Sequence, residues 1–208
     1  MAKQSGSSKR WLAEHAQDEY VLLAKKAGLR SRASYKLMQI QEKYPLLSSA
    51  GQVVIDLGAA PGGWSQVAVD RVSPKGQVIA VDILEMAPIP GVQILCGDFT
   101  EDSVVAELEE TIGGKPVDLV ISDMAPNLSG MKDIDQPRAV YLVELALEFA
   151  TRVLKPGGSL LVKCFEGSGI EPLRSEFREH FQRVNNIKPA ASRNRSNEIY
   201  LLGRELKS

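Results

Sequence analysis

The stretch VVIDLGAAPGGWSQ, residues 53–66, decides the fold. Five residues of strand character run into glycines at 58, 62 and 63, and a helical pattern starts at Trp64. A strand, glycine turn and helix in this order allow a close backbone approach to a ligand, with the free N–H groups of the helix start turned toward it. A dinucleotide fingerprint spaces its glycines G-x-G-x-x-G. Here the spacing is G-x-x-x-G-G, and Pro61 removes an N–H donor that a pyrophosphate would use. The loop is read as built for an uncharged or cationic ligand, which disfavours a dinucleotide-dependent oxidoreductase.

Outward from this unit the pattern alternates. Strands are expected at residues 53–57, 78–83, 92–96, 117–122, 160–164, 183–187 and 199–202, and helices at 64–72, 101–112, 137–154 and 171–181. Pro137 suits a first helical turn, and KPGG at 155–158 reads as a stop. Such alternation implies an α/β fold with a doubly wound, seven-stranded, mostly parallel sheet and helices on both faces. Ligands of such sheets bind at the carboxyl ends of the strands, where strand order reverses. Three carboxylates are expected there. Asp82, 24 residues after Gly58, suits the two hydroxyls of a ribose; Asp98 suits an exocyclic amine; Asp123 stands at the tip of the fourth strand.

The totals restrict the function classes. At 208 residues the chain accommodates one substantial domain, and 44% hydrophobic with 25% charged residues is an ordinary globular composition. The expected division is a disordered tail at 1–9, a basic helical arm at 10–45 with helices at 10–27 and 33–43, and the main domain at 46–208. No apolar run approaches the ~20 residues of a membrane span, and the opening MAKQSGSSKRW lacks the apolar centre of a signal peptide, so a cytoplasmic protein without membrane contact is expected. Cys96 and Cys164 fall in apolar strand-like runs, which suits reduced, buried thiols and neither a disulfide nor a metal site.

A net charge of -1 conceals an uneven distribution. Residues 1–44 hold nine Lys/Arg against four Asp/Glu, and residues 188–208 hold five against two, so the stretch between them is acidic. Basic ends on an acidic body suit a polyanion. Arg10, Lys25, Lys26, Arg30 and Arg32 in the arm and Arg193 and Arg195 in SRNRSNE are the expected phosphate contacts. The chain has no added sheet with stacking aromatics, so selectivity is expected to come from the shape of the nucleic acid.

In combination, GLRSRA, DLGAAPGGWSQ, SDMAPNLSG, RAVYLVELAL and LKPGGSLLVKCF resemble the FtsJ-type 2′-O-ribose methyltransferases of large-subunit ribosomal RNA, within the Rossmann-like S-adenosylmethionine-dependent class. The resemblance runs from about residue 10 to the last strand. It implies S-adenosylmethionine as cofactor, with Gly62, Trp64, Asp82, Asp98 and Asp123 contacting it. It also implies a uridine of large-subunit ribosomal RNA as substrate, with the large ribosomal subunit as the partner; a monomer is expected. Amino-directed nucleic-acid methyltransferases resemble each other in an Asn/Asp-Pro-Pro-aromatic clamp after the fourth strand. DMAPN stands at that position, which favours an oxygen acceptor.

Lys163 interrupts the otherwise apolar run LLVKCF. Two explanations stand: a stem that snorkels to water, or an amine working at the strand's end. A ribose hydroxyl must lose its proton to accept a methyl group, and a neutral amine can take that proton. The resemblance implies a Lys-Asp-Lys-Glu constellation, which the sequence matches with Lys36, Asp123, Lys163 and Glu198. Lys163 is then the expected base, Asp123 its orienting partner, Lys36 the cation that tunes it and grips the nucleotide, and Glu198 a steering group. A methyltransferase acting on transfer RNA, or a ribosome-assembly factor without catalysis, are the competing readings.

Overall fold

A computed structural model describes residues 18–48, 51–127, 129–167, 169–193 and 195–208. The expected tail at 1–9, Arg10 and the first turns of the arm lie outside the described residues. Two short helices come first, α1 (Glu19–Lys26) and α2 (Ala33–Lys43). The alternating portion follows: β1 (Val53–Leu57), α3 (Gly63–Val72), β2 (Gln77–Asp82), β3 (Val92–Cys96), α4 (Asp102–Ile112), β4 (Val117–Ser122), α5 (Lys132–Val153), β5 (Leu154–Phe165), α6 (Ile170–His180), β6 (Phe181–Ile187) and β7 (Glu198–Leu206).

The strands form one seven-stranded sheet in the order β3-β2-β1-β4-β5-β7-β6. β1 pairs in parallel with β2 and β4, and β7 runs antiparallel between β5 and β6. Strand order reverses at β1 and β4, which puts the cleft of a doubly wound sheet beyond their carboxyl ends. All five residues of β1 are buried, as expected for a strand covered on both faces. Val53, Ile55 and Leu57 pack toward α4, α5 and α6, whereas Val54 packs toward α2 and α3. This two-residue alternation decides which strand residues reach the α2 side of the site.

Three expectations need correction. The long fifth helix begins at Lys132, so Pro137, the expected start, lies inside it, more than one turn beyond its first residue. KPGG does end that helix, but the chain passes at once into β5, with a shift of register between Val117 and Leu119 of β4. Cys164 is buried as expected, and burial pushes its thiol up to about 12; Cys96 is exposed because β3 is the sheet's edge strand. No helix among the described residues is long and apolar enough to cross a membrane.

Candidate active site

Alternation along β5 answers the question of Lys163. Leu160, Val162 and Cys164 face α5 and α6, and Leu161 faces α2 and α3, so Lys163 points to the α2 side and is 9% exposed. Across the antiparallel ladder Tyr200 lies opposite Lys163 and Glu198 opposite Phe165. Tyr200 and Glu198 therefore share that face. α2 packs there through Leu37 and Ile40, which are essentially fully buried. Burying each stabilises this docking by roughly 2–3 kcal/mol, which fixes the neighbouring Lys36 in position.

These elements bring together all four residues of the expected constellation. Lys163 Nζ lies 3.2 Å from Asp123 Oδ1 and also donates to the Asp123 carbonyl oxygen. Lys36 Nζ is 2.6 Å from Glu198 Oε1 and 4.0 Å from Asp123 Oδ1. The Ser192 hydroxyl donates to Glu198 Oε1 at 2.9 Å. A fifth member stands at the centre: the Tyr200 hydroxyl donates to Asp123 Oδ1 at 2.6 Å, and Lys36 Nζ lies 5.7 Å from the centre of its ring. Burial pushes the Tyr200 phenol well above its ordinary value, and the Asp123 and Glu198 carboxylates add to the effect. It therefore serves as a neutral donor between two anions. Its only mark in the sequence is its place two residues after Glu198 on one strand.

Beside this cluster lies a cleft of about 420 Å³ bounded by Gly58, Ala60, Asp82, Asp98, Asp123 and Asn127, among others. Its carboxylates are fixed by backbone N–H groups. Asp82 Oδ2 accepts from Ala60 N and Oδ1 from Leu84 N, both at 2.8 Å, while Asp98 Oδ1 accepts from Thr100 N at 2.9 Å and from its hydroxyl at 2.8 Å. A Cβ on Gly58 would meet Met124 Cγ at 2.4 Å, so a glycine is required where the loop passes β4. Three acids and no lysine or arginine line the cleft among the described residues. That lining repels a diphosphate and suits a nucleoside bearing hydroxyls, an amine and a positive charge. Asp123 belongs to both the cleft and the amine cluster, so it links the cleft to Lys163.

Gly62 and Trp64, expected to contact the cofactor, are not among the residues that line this cleft. The Trp64 side chain is 2% exposed, stacks near Tyr200 and donates through Nε1 to Ala33 O at 2.8 Å. Its indole is therefore a core group that joins α3 to α2, and only its backbone stays near the loop. Below the loop, Asp56 is fully buried. Ser65 Oγ donates to its Oδ2 at 2.6 Å, and its Oδ1 has no hydrogen-bond partner. Burial, joined by the charges of Asp123 and Asp82, raises this carboxyl to about 7.

A second cavity, of about 540 Å³, opens on the other side of Lys36 and Glu198 and is lined by Arg32, Arg193 and Arg195. Arg32 and Arg193 share Asp18, at 2.6 and 3.6 Å, and Arg32 also donates to the Ala191 carbonyl. Lys25 and Lys26 are exposed in the last turn of α1. Arg30 does not line this cavity. Its guanidinium donates to three carbonyl oxygens, Pro61 at 3.2 Å and Ala87 and Pro88 at 2.6 Å each. The sequence of the basic arm does not distinguish it from Arg32, since its partners lie in two remote segments.

Comparison with known proteins accords with this geometry. A family model described as FtsJ-like methyltransferase matches residues 29–206. The chain is 55% identical to the ribosomal RNA large subunit methyltransferase E of Methylobacillus flagellatus, over 97% of each chain. It is 56% identical to the protein of that name from Pseudomonas aeruginosa, over 96% of each chain. Among solved structures, a ribosomal RNA methyltransferase from Plasmodium falciparum is similar with a TM-score of 0.77 and 31% identity, over 85% of this chain and 98% of that one.

Proposed function

The chain belongs to the FtsJ-like methyltransferase family, and on that premise we propose that it methylates the 2′-hydroxyl of a uridine in large-subunit ribosomal RNA, using S-adenosylmethionine. The names of its relatives support the RNA class. The observation that carries the reading is the shared position of Asp123, which lines the acid-walled cleft and holds Lys163 at 3.2 Å.

The donor set of the cleft fits this cofactor, whose hydroxyls, amine and positive charges match Asp82, Asp98 and Asp123. S-adenosylmethionine supplies a methyl group already activated on a sulfonium. What remains for the protein is positioning and removal of a proton. Lys163 would take the proton of the ribose hydroxyl, leaving the oxygen to form its bond to the methyl carbon as the carbon–sulfur bond breaks with its electron pair going to sulfur. Asp123 aims the Lys163 amine through its carboxylate and its carbonyl, while Tyr200 holds that carboxylate in place. Lys36, anchored on Glu198, supplies a cation where the nucleotide enters from the arginine-lined cavity. Arg32, Arg193 and Arg195 then take backbone phosphates in that cavity, with Asp18 giving way to one of them.

The test is methyl transfer from labelled S-adenosylmethionine to three acceptors: large ribosomal subunits from undermodified cells, free ribosomal RNA and transfer RNA. Label in the large subunit or its RNA, recovered as a 2′-O-methyluridine, is expected. Label in transfer RNA alone would favour the competing enzyme, and label in none would favour an assembly factor.

A further inference from the structure

Arg30 bridges two walls of the cleft from outside. The glycine loop forms one wall, with Ala60 facing the cleft, and the segment after β2 forms another through Ile83 and Leu84. On the inner side Asp82 joins them, accepting from Ala60 N and Leu84 N. On the outer side the Arg30 guanidinium joins them again, through Pro61 O of the loop and through Ala87 O and Pro88 O of the segment. The arginine is itself held: its backbone N donates to Gln66 Oε1 at 2.8 Å, and Gln66 Nε2 donates to Gly28 O at 3.3 Å. A Cβ on Gly62 would lie 2.6 Å from Ile89 Cδ1 and 3.3 Å from the Arg30 side chain, so the loop has a bare backbone where the clamp closes.

We infer that Arg30 is a positioning residue of the donor site: it sets the separation of the glycine loop and the 83–88 segment, and so the affinity for the methyl donor. The inference rests on the S-adenosylmethionine reading above. A guanidinium suits this task because its planar fork reaches several acceptors at once and keeps its charge at every working pH, whereas an ammonium concentrates its donors on one atom. With both the fork and its stem removed, the outer tie is lost while Asp82 still holds the inner one. The cleft then widens without losing any group that touches the donor. Phosphate contacts are unaffected, because Arg32, Lys36 and Arg193 line a separate cavity to which Arg30 does not contribute.

The experiment measures two affinities on the folded full chain, that for S-adenosylmethionine by calorimetry and that for a large-subunit ribosomal RNA fragment by filter binding. For Arg30→Ala the donor Kd and KM are expected to rise five- to twentyfold, with turnover at saturating donor lowered less than threefold and RNA affinity within twofold of wild type. Arg30→Lys, which retains the charge and the stem, is expected to fall between the two in donor Kd, and it stands in if the alanine variant does not fold. A donor Kd within twofold of wild type in both variants overturns the inference, as does a loss confined to RNA affinity. Failure of the wild-type chain to bind S-adenosylmethionine would instead overturn the reading on which it rests.

Discussion

Replacing Tyr200 with phenylalanine removes one oxygen atom from the centre of the amine cluster and leaves the ring where it is. The ring is fully buried and packs on Trp64 with centroids 5.6 Å apart, contacts that phenylalanine keeps. What is lost is the 2.6 Å hydrogen bond to Asp123 Oδ1. A hydrogen bond to a charged acceptor contributes about 1.5–3 kcal/mol. Asp123 Oδ1 retains Lys163 at 3.2 Å, so the carboxylate is not orphaned and the expected cost lies near the lower end, about 1.5 kcal/mol. Since Asp123 orients the proposed base, the same loss should lower turnover about tenfold, the factor that corresponds to ~1.4 kcal/mol. The assay is methyl incorporation at saturating donor, run beside urea unfolding, with the donor KM expected to stay within twofold. A second signature is alkaline. Above pH 10 an unfolded tyrosine releases its proton while the raised phenol of the folded chain keeps it, so stability falls as pH rises there, and the variant lacks this contribution. Wild-type turnover together with a wild-type urea midpoint in Tyr200→Phe would refute the reasoning.

Lys163→Ala is expected to lose roughly 10²–10⁴-fold in turnover, the range for a positioned proton acceptor, with donor affinity retained; equilibrium donor binding and single-turnover kinetics check it. Asp56, raised from 3.8 to about 7 by burial, holds a proton in the folded chain that the unfolded chain has released between those pH values. Stability therefore falls as pH rises from about 4 to 7, by up to roughly 4 kcal/mol from this group, and Asp56→Asn should flatten that slope in urea unfolding across the window. A thiol reagent is expected to titrate one equivalent rapidly in the native protein, at exposed Cys96, and a second only on unfolding, since Cys164 is buried with its thiol at about 12. Cys96→Ser should abolish the fast equivalent.

The parts of the fold that were legible in the sequence are those specified by neighbouring residues. The four apolar residues of β1 with Asp56 among them, the glycines after it and the acids at the ends of β2 and β4 lie in short contiguous runs, and they occupy the expected places. Lys36, Asp123, Lys163 and Glu198 were legible as a set through resemblance, and the geometry gives their convergence a cause in the alternation of β5 and β7. Tyr200 was not, because a tyrosine between Ile199 and Leu201 has the pattern of an ordinary core strand; only the register with Lys163 reveals its partner. Trp64 read as a cofactor contact, yet its indole is held by Ala33 O across a gap of 31 residues in sequence. The clamp made by Arg30 was hidden for a similar reason: its acceptors are backbone carbonyls, which no residue type announces. Cys96 was misplaced because its burial depends on β3 being an edge, a fact of strand order.

The insertion of β7 between β5 and β6 has a consequence for how the enzyme comes into being during translation. Six strands are already synthesised before Glu198 and Tyr200 leave the ribosome, and until they do, a gap separates β5 from β6. A nascent chain lacking that strand has neither the anion that anchors Lys36 nor the phenol that steadies Asp123. Catalytic competence then arrives in one late step, when the seventh strand slides into its slot, so a premature stop codon ahead of residue 198 yields a product without methyl transfer.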